Sequence, residues 1–346
     1  MSILNGIGRF TGLDIGNSGI RLVELNQSGQ SVQLINYAMV PVDARLILSD
    51  SPADQQKVAS IINQLFLQAK PTTKNVAVNL PSSRVFTTIV DMDKLSEDEL
   101  AKSIMFQADT LIPTPMDTSK IDWALLGQSP IDKNKVEVLL SSVPNSYIER
   151  LVDQLENIGL NVIAFEPDAI AMSRAVVPVN NQKPSIILDI GAISSDFIIV
   201  MNGGPRLIRS IPVGNETFVR NISETLSIDA VQAQDFVYKF GFAKDKIDGQ
   251  IYNALISASE VLFGEIDKSI QFFKNRYKNV PIEKFYVTGS AATIPEMPLF
   301  IANKYQLSVE IGNSWTNIVI PENKKNDLLA VSSQFSVAAG LAERNS

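Results

Sequence analysis

A tetrapeptide that occurs twice, about half a chain apart, constrains the fold of this sequence more than any other feature. Leu-Asp-Ile-Gly stands at 13–16 and again at 188–191 in a chain of 346 residues. Each copy ends an apolar, strand-like run and is followed by small polar residues and a second strand-like run. Two matching strand–turn–strand units at this spacing predict a duplicated domain whose equivalent turns face one cleft.

Each of these turns combines a carboxylate with exposed backbone amides. Asp14 and Asp189 end buried strands, where an unused charge is unfavourable. The glycine nearby lets the backbone turn sharply, and successive amides with serine hydroxyls make an anion site. We therefore predict that the turns hold a nucleotide's phosphates and that both carboxylates bind Mg²⁺ through water, which this ion sheds reluctantly. The alternative is that each turn only closes a tight hairpin.

The composition narrows the chemistry open to such a site. The chain has no cysteine and no histidine, which excludes thiolate chemistry, zinc sites built on these residues, imidazole bases and disulfides. Catalysis would then depend on carboxylates, backbone amides, lysine, hydroxyl groups and a bound metal. A net charge of −7 and a pI near 4.9, without a basic cluster, argue against nucleic acid as a partner.

The apolar segments do not predict a membrane protein. No apolar run approaches the roughly 18 residues that a spanning helix needs. The N-terminal segment MSILNGIGRF is too short and too polar for a signal peptide. We therefore expect a soluble, cytoplasmic protein without direct membrane insertion.

Periodicity divides the chain into strands and helices. The first half predicts strands at 9–15, 20–26, 31–40 and 75–80 and a helix at 54–69. Residues 81–163 predict an inserted unit of sheet and two helices, one of them starting at a capping box of Ser96 and Glu99. The second half predicts strands at 185–191, 195–201, 205–211 and 284–290 and helices at 215–240, 248–277 and 324–344. This order predicts an α/β protein of two lobes with an inserted subdomain.

Three further places in the sequence are candidates for the same site. In VTGSAA, the small residues Gly289 and Ser290 would let a flat base or a phosphate approach, unless the turn only connects a strand to a helix. Glu166, before a proline, either positions an attacking water or is an acid favourably placed at a helix start. Glu265 and Lys268 either contact a ribose or adenine or form a surface ion pair.

These motifs resemble those of the actin-like ATPase superfamily. The two hairpins, the Glu-Pro junction and the Thr-Gly-Ser turn are similar to its two phosphate loops, connecting segment and adenosine motif. Within it, the sequence most resembles the PilM family of type IV pilus assembly proteins. The segments that carry this resemblance are TGLDIGNSGIRLVEL, LSEDELAKSIMFQADTLIPTPMDTSKIDWALLG, and LDIGAISSDFIIV with the later RSIPVG.

The resemblance implies an actin-like ATPase fold with four subdomains, the insertion placed as in FtsA. It implies ATP and Mg²⁺ between the lobes. It implies that Asp14 and Asp189 bind the metal through water and that Glu166 lies near the attacking water. The residues implied near the phosphates are Asn17, Ser18, Ser194, Ser195 and Gly214. Those implied near the nucleoside are Glu265, Lys268, Gly289 and Ser290. A turn before a helix is by itself enough to explain Gly214.

The sequence departs from the family at two of these positions. Ser290 and Ala291 follow Gly289 where relatives usually continue a run of glycines, and Asn17 stands where relatives often have a serine. Both departures favour a protein that uses ATP as a structural switch over one that hydrolyses it quickly. At most slow hydrolysis is expected.

The resemblance also implies a partner and a subdomain map. The partner is the short cytoplasmic N-terminal tail of the inner-membrane pilus protein PilN, held in a groove between the insertion and the first lobe. The expected function is an ATP-binding adaptor of the pilus inner-membrane platform that acts in twitching motility, peripheral at the membrane through its partner. The alternatives are a small-molecule kinase or phosphatase and an FtsA-like membrane-bound polymer. The expected subdomains are 1–80, 164–183 and 325–346 (1A), 81–163 (1C), 184–218 and 281–324 (2A) and 219–280 (2B).

Overall fold

A computed structural model describes residues 9–28, 31–278 and 280–344. Most of the N-terminal segment MSILNGIGRF, for which a signal peptide is not expected, lies outside these residues. The chain begins with a three-stranded meander, two helices and a fourth strand. These are β1 (Thr11–Gly16), β2 (Gly19–Ser28), β3 (Ser31–Pro41), α1 (Ala44–Leu48), α2 (Pro52–Ala69) and β4 (Asn75–Leu80).

The middle of the chain forms a smaller sheet and returns to the first one. Its elements are β5 (Phe86–Asp93), α3 (Glu97–Leu111), β6 (Ser119–Gln128), β7 (Lys135–Pro144), α4 (Asn145–Glu156), β8 (Asn161–Pro167) and α5 (Asp168–Val176). As predicted, α3 starts at a capping box, in which the Glu99 carboxylate accepts hydrogen bonds from the backbone and hydroxyl of Ser96.

The second half begins with another meander and continues through helices to a final pair of strands and helices. Its elements are β9 (Ser185–Ile190), β10 (Ser195–Met201), β11 (Gly204–Ile211), α6 (Asn215–Leu226), α7 (Ala230–Phe240), α8 (Gln250–Arg276), β12 (Lys284–Thr288), α9 (Met297–Tyr305), β13 (Ser308–Ile311), α10 (Lys325–Val331) and α11 (Ser336–Ala342).

Two five-stranded sheets share one topology. The first has the order β3-β2-β1-β4-β8 and the second β11-β10-β9-β12-β13. In each sheet the meander strands are antiparallel, and the two strands beyond them are parallel to the first strand of the meander. The repeated tetrapeptide therefore marks a repeat of the whole sheet, with β1 equivalent to β9. We call the units built on these sheets the first lobe and the second lobe.

Helices α5 and α11 lie between the two sheets. Met172 of α5 and Ala338 of α11 are fully buried in a core that also includes side chains from both sheets. The two helices touch along their backbones, because a Cβ on Gly340 would lie only 1.9 Å from the carbonyl oxygen of Ala171. This contact needs glycine and fixes how the lobes are joined.

The smaller sheet has the order β5-β7-β6, and α3 covers one of its faces. Leu100 and Ile104 of α3 pack against Val138 and Leu140 of β7. We call this sheet and α3 the insertion. By contrast, α4 packs into the core of the first lobe, although the sequence analysis groups it with the inserted unit. The proposed subdomain boundaries stay a prediction.

Two predicted helices are divided. The C-terminal helix predicted over 324–344 is broken between α10 and α11 by a 3₁₀ turn at Ser332–Gln334, and the helix predicted over 215–240 is broken at Ser227, whose φ is 53°. None of the helices in the described part of the chain has the length and apolar character needed to cross a bilayer.

Candidate functional site

Both predicted turns line one cleft between the lobes. The open space between its walls is about 690 Å³. We call it the cleft. The polar residues and glycines that line it include Asp14, Gly16, Asn17, Ser18 and Arg21 from the first hairpin, Asp189, Gly191, Ser194 and Asp196 from the second, and Asn79, Asp168, Gly289, Ser290, Gln334 and Ser336 from other elements.

An arginine organises the first hairpin. Arg21 of β2 stands opposite Asp14 of β1 in the strand register, and its Nη1 lies 3.1 Å from Asp14 Oδ2. Its Nη2 donates a hydrogen bond of 2.9 Å to the Ser18 hydroxyl in the turn. Both members of the ion pair are buried. The side chain of Arg21 therefore joins the carboxylate and the turn in a fixed arrangement.

The second hairpin has a carboxylate in the place of that arginine. Asp196 of β10 stands opposite Asp189 of β9. The Thr288 hydroxyl donates to Asp189 Oδ1 over 2.7 Å, whereas Asp196 Oδ1 is buried without a hydrogen-bond partner. A buried carboxylate oxygen that lacks a partner is unfavourable, so this side of the cleft is suited to a cation or an ordered water.

An asparagine connects the first hairpin to a third carboxylate. The backbone N–H of Ile15 donates to Asn79 Oδ1 over 2.7 Å, and Asn79 Nδ2 donates to Asp168 Oδ1 over 3.0 Å. Asn79 is the second-last residue of β4 in the first lobe, and Thr288 is the last residue of β12 in the second. The two equivalent strands thus both supply a side chain that orients an aspartate of the cleft.

The cleft carries four carboxylates and, within the part of the chain that the structure describes, Arg21 is the one cationic side chain in its lining. Burial raises the pKa of Asp14 to about 6, against the influence of Arg21. Burial and the nearby Asp189 raise the pKa of Asp196 to about 6. The pKa of Asp168 is raised well above its usual value by burial and by the charges of Asp14 and Asp196. The negative charges of the site therefore outnumber its positive charge, which suits a cationic ligand.

The carboxylates do not converge on one point. No three acidic side chains among the residues described lie close enough together to bind a metal ion directly. An ion in the cleft would therefore need water as well as carboxylate oxygens, the coordination that suits Mg²⁺.

The second turn is held from behind by α6. The backbone N–H groups of Asn215 and Glu216 donate to the carbonyl oxygens of Gly191 and Ala192 over 3.0 and 2.9 Å. A Cβ on Gly214 would lie 2.5 Å from the Ala192 oxygen. Gly214 therefore permits this close approach but does not line the cleft. The turn before α6 explains this glycine better than a contact with a phosphate does.

Two further residues that the sequence analysis placed near the phosphates and the nucleoside have clear structural roles. The Ser195 hydroxyl is buried and donates to the Val213 carbonyl oxygen over 2.6 Å, away from the cleft. Gly289 has φ +84°, and a Cβ there would lie 2.4 Å from the Ile190 oxygen. This backbone, which lines the cleft, can be formed only by glycine without strain.

Three candidate residues lie outside the lining of the cleft in the structure. Glu166 is buried, but its carboxylate forms two hydrogen bonds with the Arg174 guanidinium, at 2.7 and 2.9 Å, and does not line the cleft. Glu265 and Lys268 pair with each other at 2.7 Å on an exposed face of α8. These two residues thus form the surface ion pair that the sequence analysis gives as the alternative.

Four important residues of the cleft were missed. Arg21 and Asp196 stand at matching distances after the two repeated tetrapeptides, so aligning the two copies would have identified them. Asn79 and Asp168 come from other elements, and no local signal marks them. Only the pairing of β4 with β1 and the packing of α5 against β4 bring these side chains to the site.

Comparison with known proteins identifies the kind of fold. The family described as type IV pilus assembly protein PilM matches residues 12–346. A solved PilM-PilN type IV pilus biogenesis complex has a TM-score of 0.81 and 21% identity, with 96% of this chain and 97% of that chain covered.

Two other solved structures are similar over most of their length. The ethanolamine utilization protein EutJ from Carboxydothermus hydrogenoformans has a TM-score of 0.56 and 14% identity, covering 96% of this chain and 89% of that chain. MreB5 of Spiroplasma citri bound to ADP has a TM-score of 0.56 and 16% identity, covering 96% and 94%. At these identities the likeness establishes an actin-like ATPase fold, as predicted.

Proposed function

Since the chain belongs to the PilM family of type IV pilus assembly proteins, we propose that it is a nucleotide-binding adaptor within that assembly. It binds Mg²⁺-ATP in the cleft and the N-terminal tail of PilN in a separate groove. The family assignment favours this function over a small-molecule kinase or phosphatase. The observation that carries the proposal is the pair of equivalent hairpins that line one polar cleft.

Charge explains why the nucleotide would bind as its magnesium complex. A free triphosphate would bring several negative charges into a space that already contains four aspartates and Arg21. A divalent cation removes this repulsion, and its own charge dominates the local electrostatics.

We assign the parts of the cleft to the parts of the ligand by their chemistry. The turn residues Asn17, Ser18 and Ser194 offer backbone and side-chain donors for phosphate oxygens. Asp14, Asp189 and Asp196 would hold Mg²⁺ through its water molecules. Bound Mg²⁺ would neutralise phosphate charge, and the small residues Gly289 and Ser290 leave room for the nucleoside. Asp168, rather than Glu166, is the carboxylate of the β8–α5 junction that faces this ligand.

A second cavity lies between the insertion and the first lobe. Its open space is about 1250 Å³, and most of its exposed lining is apolar. We call it the groove. Its lining includes Trp123 and Ala124 of β6, Leu139 of β7 and Phe165 of β8. Lys120, Asp122, Glu166 and Arg344 place charges of both signs around this apolar floor.

An extended peptide suits the groove. Both β6 and β8, which help to line it, are the last strands of their sheets in the described part of the chain. A strand in that position has backbone groups free to pair with an added strand, and pockets for alternate side chains then provide selectivity. A solved neighbour is a complex of PilM with PilN. The PilN tail is therefore the occupant that we propose.

Binding of a labelled PilN tail peptide, measured by fluorescence anisotropy, tests the groove. We expect saturable binding and, for Ala124→Arg, which adds a bulky charge to an exposed position of the groove lining, a loss of affinity of about tenfold or more. Leu125→Arg is the matched control, because Leu125 is the next residue of β6, is 56% exposed and does not line the groove. A folded wild-type protein without affinity for the peptide, with or without Mg²⁺-ATP, would contradict the adaptor function.

A further inference from the structure

A third cavity lies between the edges of two sheets that approach each other without pairing. In the described part of the chain, β5 is the last strand of the insertion sheet and β11 is the last strand of the second lobe's sheet. Residues of both strands line the cavity, which has about 500 Å³ of open space. We call it the arginine pocket. Its polar lining is Thr87 and Thr88 of β5, Arg206 and Arg209 of β11 and Arg276 of α8.

The arginine pocket has the opposite charge to the cleft. Among the residues described, the three arginines are the only charged side chains in its lining. Two carboxylates pair with these arginines without lining the pocket. Glu137 lies 3.2 Å from Arg206 and 2.7 Å from Arg276, and Asp91 lies 2.9 Å from Arg276. Three positive charges therefore meet two negative ones, and the surplus favours an anionic ligand.

Two of the arginines keep hydrogen-bond donors that no group in the described part of the chain accepts. Arg276 donates through Nε and Nη2 to Glu137 and Asp91, which leaves Nη1 without an acceptor. Arg209 is exposed and has no carboxylate partner there, and its one hydrogen bond is a long one, 3.4 Å, to the Ile208 carbonyl oxygen. Guanidinium groups with free donors match the geometry of phosphate oxygens.

The third arginine and the two sheet edges also favour an anion. Burial lowers the pKa of Arg206 although the nearby Glu137 opposes this shift, so its positive charge is only partly compensated within the protein. An edge strand has backbone N–H groups that its own sheet leaves unpaired, and such an edge can form a concave anion site. Thr87 and Thr88 of β5 add hydroxyl donors.

The rest of the lining is apolar. It includes Ile89 of β5 and Leu139 of β7, and Phe272 of α8 stands one helical turn before Arg276. At this spacing the side chains of Phe272 and Arg276 lie on one face of the helix. The side chain of Phe272 is 54% exposed, so its ring can cover an apolar or aromatic group that is joined to an anion at Arg276.

We propose that the arginine pocket binds a phosphate monoester that carries an apolar or aromatic group. Arg209 and Arg276 hold the phosphate, whose three terminal oxygens accept hydrogen bonds from several donors at once, and Phe272 covers the apolar group. The site is separate from those of the proposed function, since none of its described residues lines the cleft and only Leu139 also lines the groove. Because guanidinium groups supply the positive charge, binding requires no Mg²⁺.

Calorimetric titration of phenyl phosphate into the intact chain in EDTA tests the site, because the four aspartates of the cleft repel a free dianion under this condition. We expect one saturable site. Arg209→Gln should weaken it about tenfold, as for the loss of a hydrogen bond between charged groups. It should keep the wild-type melting temperature, because Arg209 is exposed. Arg220→Gln is the matched control and should bind like wild type, since Arg220 is an exposed arginine of α6 outside the pocket.

A second variant tests the apolar part of the site. Phe272→Ala should weaken phenyl phosphate about threefold or more, the contribution of an aromatic pair. It should leave the affinity for inorganic phosphate unchanged, because both arginines remain. Wild-type affinity for phenyl phosphate in Phe272→Ala would overturn the role given to Phe272.

The phosphate monoester could belong to a soluble molecule or to a lipid headgroup, and vesicles distinguish the two sources. Sedimentation with vesicles of phosphatidic acid, against phosphatidylcholine as the control, is measured for wild type and Arg209→Gln. Sedimentation that Arg209→Gln abolishes assigns the site to a lipid headgroup. Binding of phenyl phosphate without sedimentation assigns it to a soluble molecule.

The results also separate this inference from the proposed function. A folded wild-type protein that binds neither phenyl phosphate nor the phosphatidic acid vesicles would overturn the inference, and so would equal affinity for phenyl phosphate in wild type and Arg209→Gln. A protein that binds phenyl phosphate in EDTA but does not bind Mg²⁺-ATP would contradict the proposed function and support the arginine pocket.

Discussion

Arg21 and Asp196 occupy the same place in two copies of one hairpin, and they carry opposite charges. Each stands opposite the aspartate of the repeated tetrapeptide in the strand register. In the first lobe the pair is an arginine with a carboxylate, so the hairpin is internally neutralised. In the second lobe two carboxylates face each other across the ladder. The duplicated site is therefore electrostatically asymmetric, and a metal ion should bind on the side of the second hairpin.

This asymmetry predicts a specific effect on nucleotide binding. Asp196→Asn removes a charge that lies beside Asp189, and we expect the affinity for Mg²⁺-ATP to fall by about tenfold, the loss of one charge-assisted contact. Titration calorimetry measures it. Asp245→Asn is the control, because that side chain is 74% exposed and pairs with Lys246. Equal affinities in wild type and Asp196→Asn would remove Asp196 from the site.

The raised pKa values predict how stability changes with pH. A carboxyl whose folded pKa is raised binds protons more tightly in the folded state, so stability falls as pH rises from its unfolded pKa to its folded one. The pKa values of Asp14 and Asp196 are raised from 3.8 to about 6. The loss of stability from these two groups therefore falls between about pH 4 and pH 6. Asp196→Asn should therefore raise the melting temperature at pH 7.5 by about 2–5 °C without ligand and flatten the decline over this pH window.

Scanning calorimetry of both proteins from pH 4 to pH 8 gives the measurement. Saturating Mg²⁺-ATP should abolish the advantage of the variant, because the cation stabilises the ionised carboxylates of the wild type. An advantage that persists unchanged with ligand would show that the carboxylate does not interact with it.

Gly289→Ala should damage both fold and site. The added Cβ would meet the Ile190 oxygen at 2.4 Å, and the φ of +84° disfavours any side chain. We expect a loss of about 2–4 kcal/mol in the free energy of unfolding and much weaker nucleotide binding. Gly264→Ala is the control, because a Cβ added at Gly264 would have no atom within 4 Å. Alanine in a helix interior should raise the free energy of unfolding by about 1 kcal/mol relative to glycine. Denaturant titration distinguishes them, and an undamaged Gly289→Ala protein would contradict the packing described here.

The β8–α5 junction predicts that two nearby carboxylates serve different ligands. Glu166→Gln breaks the ion pair with Arg174 beside the groove, so it should weaken the PilN tail and leave the nucleotide unaffected when each ligand is tested alone. Asp168→Asn should do the reverse, because Asp168 lines the cleft. Parallel measurements of both affinities for both variants provide the test. A loss of nucleotide affinity in Glu166→Gln alone would restore Glu166 to the nucleotide site.

The repeated hairpins could be read from the sequence because every part of their signal is local. Asp14 and Asp189 end apolar strands and stand next to the residues that form the turns. The structure confirms the two-lobed fold that these turns predict, and it brings both turns to one cleft.

The cavity that the Glu166 side chain faces could not be predicted from the sequence, because it depends on an ion-pair partner outside the Glu-Pro motif. The Glu-Pro dipeptide correctly predicts the start of α5. However, Arg174, in the last turn of that helix, pairs with the Glu166 carboxylate and holds it at the groove. Asp168 likewise reaches the cleft only because α5 packs against the end of β4, where Asn79 hydrogen-bonds to it. Tertiary packing thus determines which cavity each of the two carboxylates faces, and the local sequence around them does not contain this information.

The most direct test of the account is calorimetric titration of ATP into the purified protein, freed of any bound nucleotide, with Mg²⁺ and with EDTA. We predict one saturable site that requires Mg²⁺, weakened about tenfold or more by Asp14→Ala and by Asp189→Ala in proteins that keep their fold. Binding of equal strength without Mg²⁺, or unchanged in both variants, would contradict the claim that the paired hairpins hold the metal–nucleotide complex.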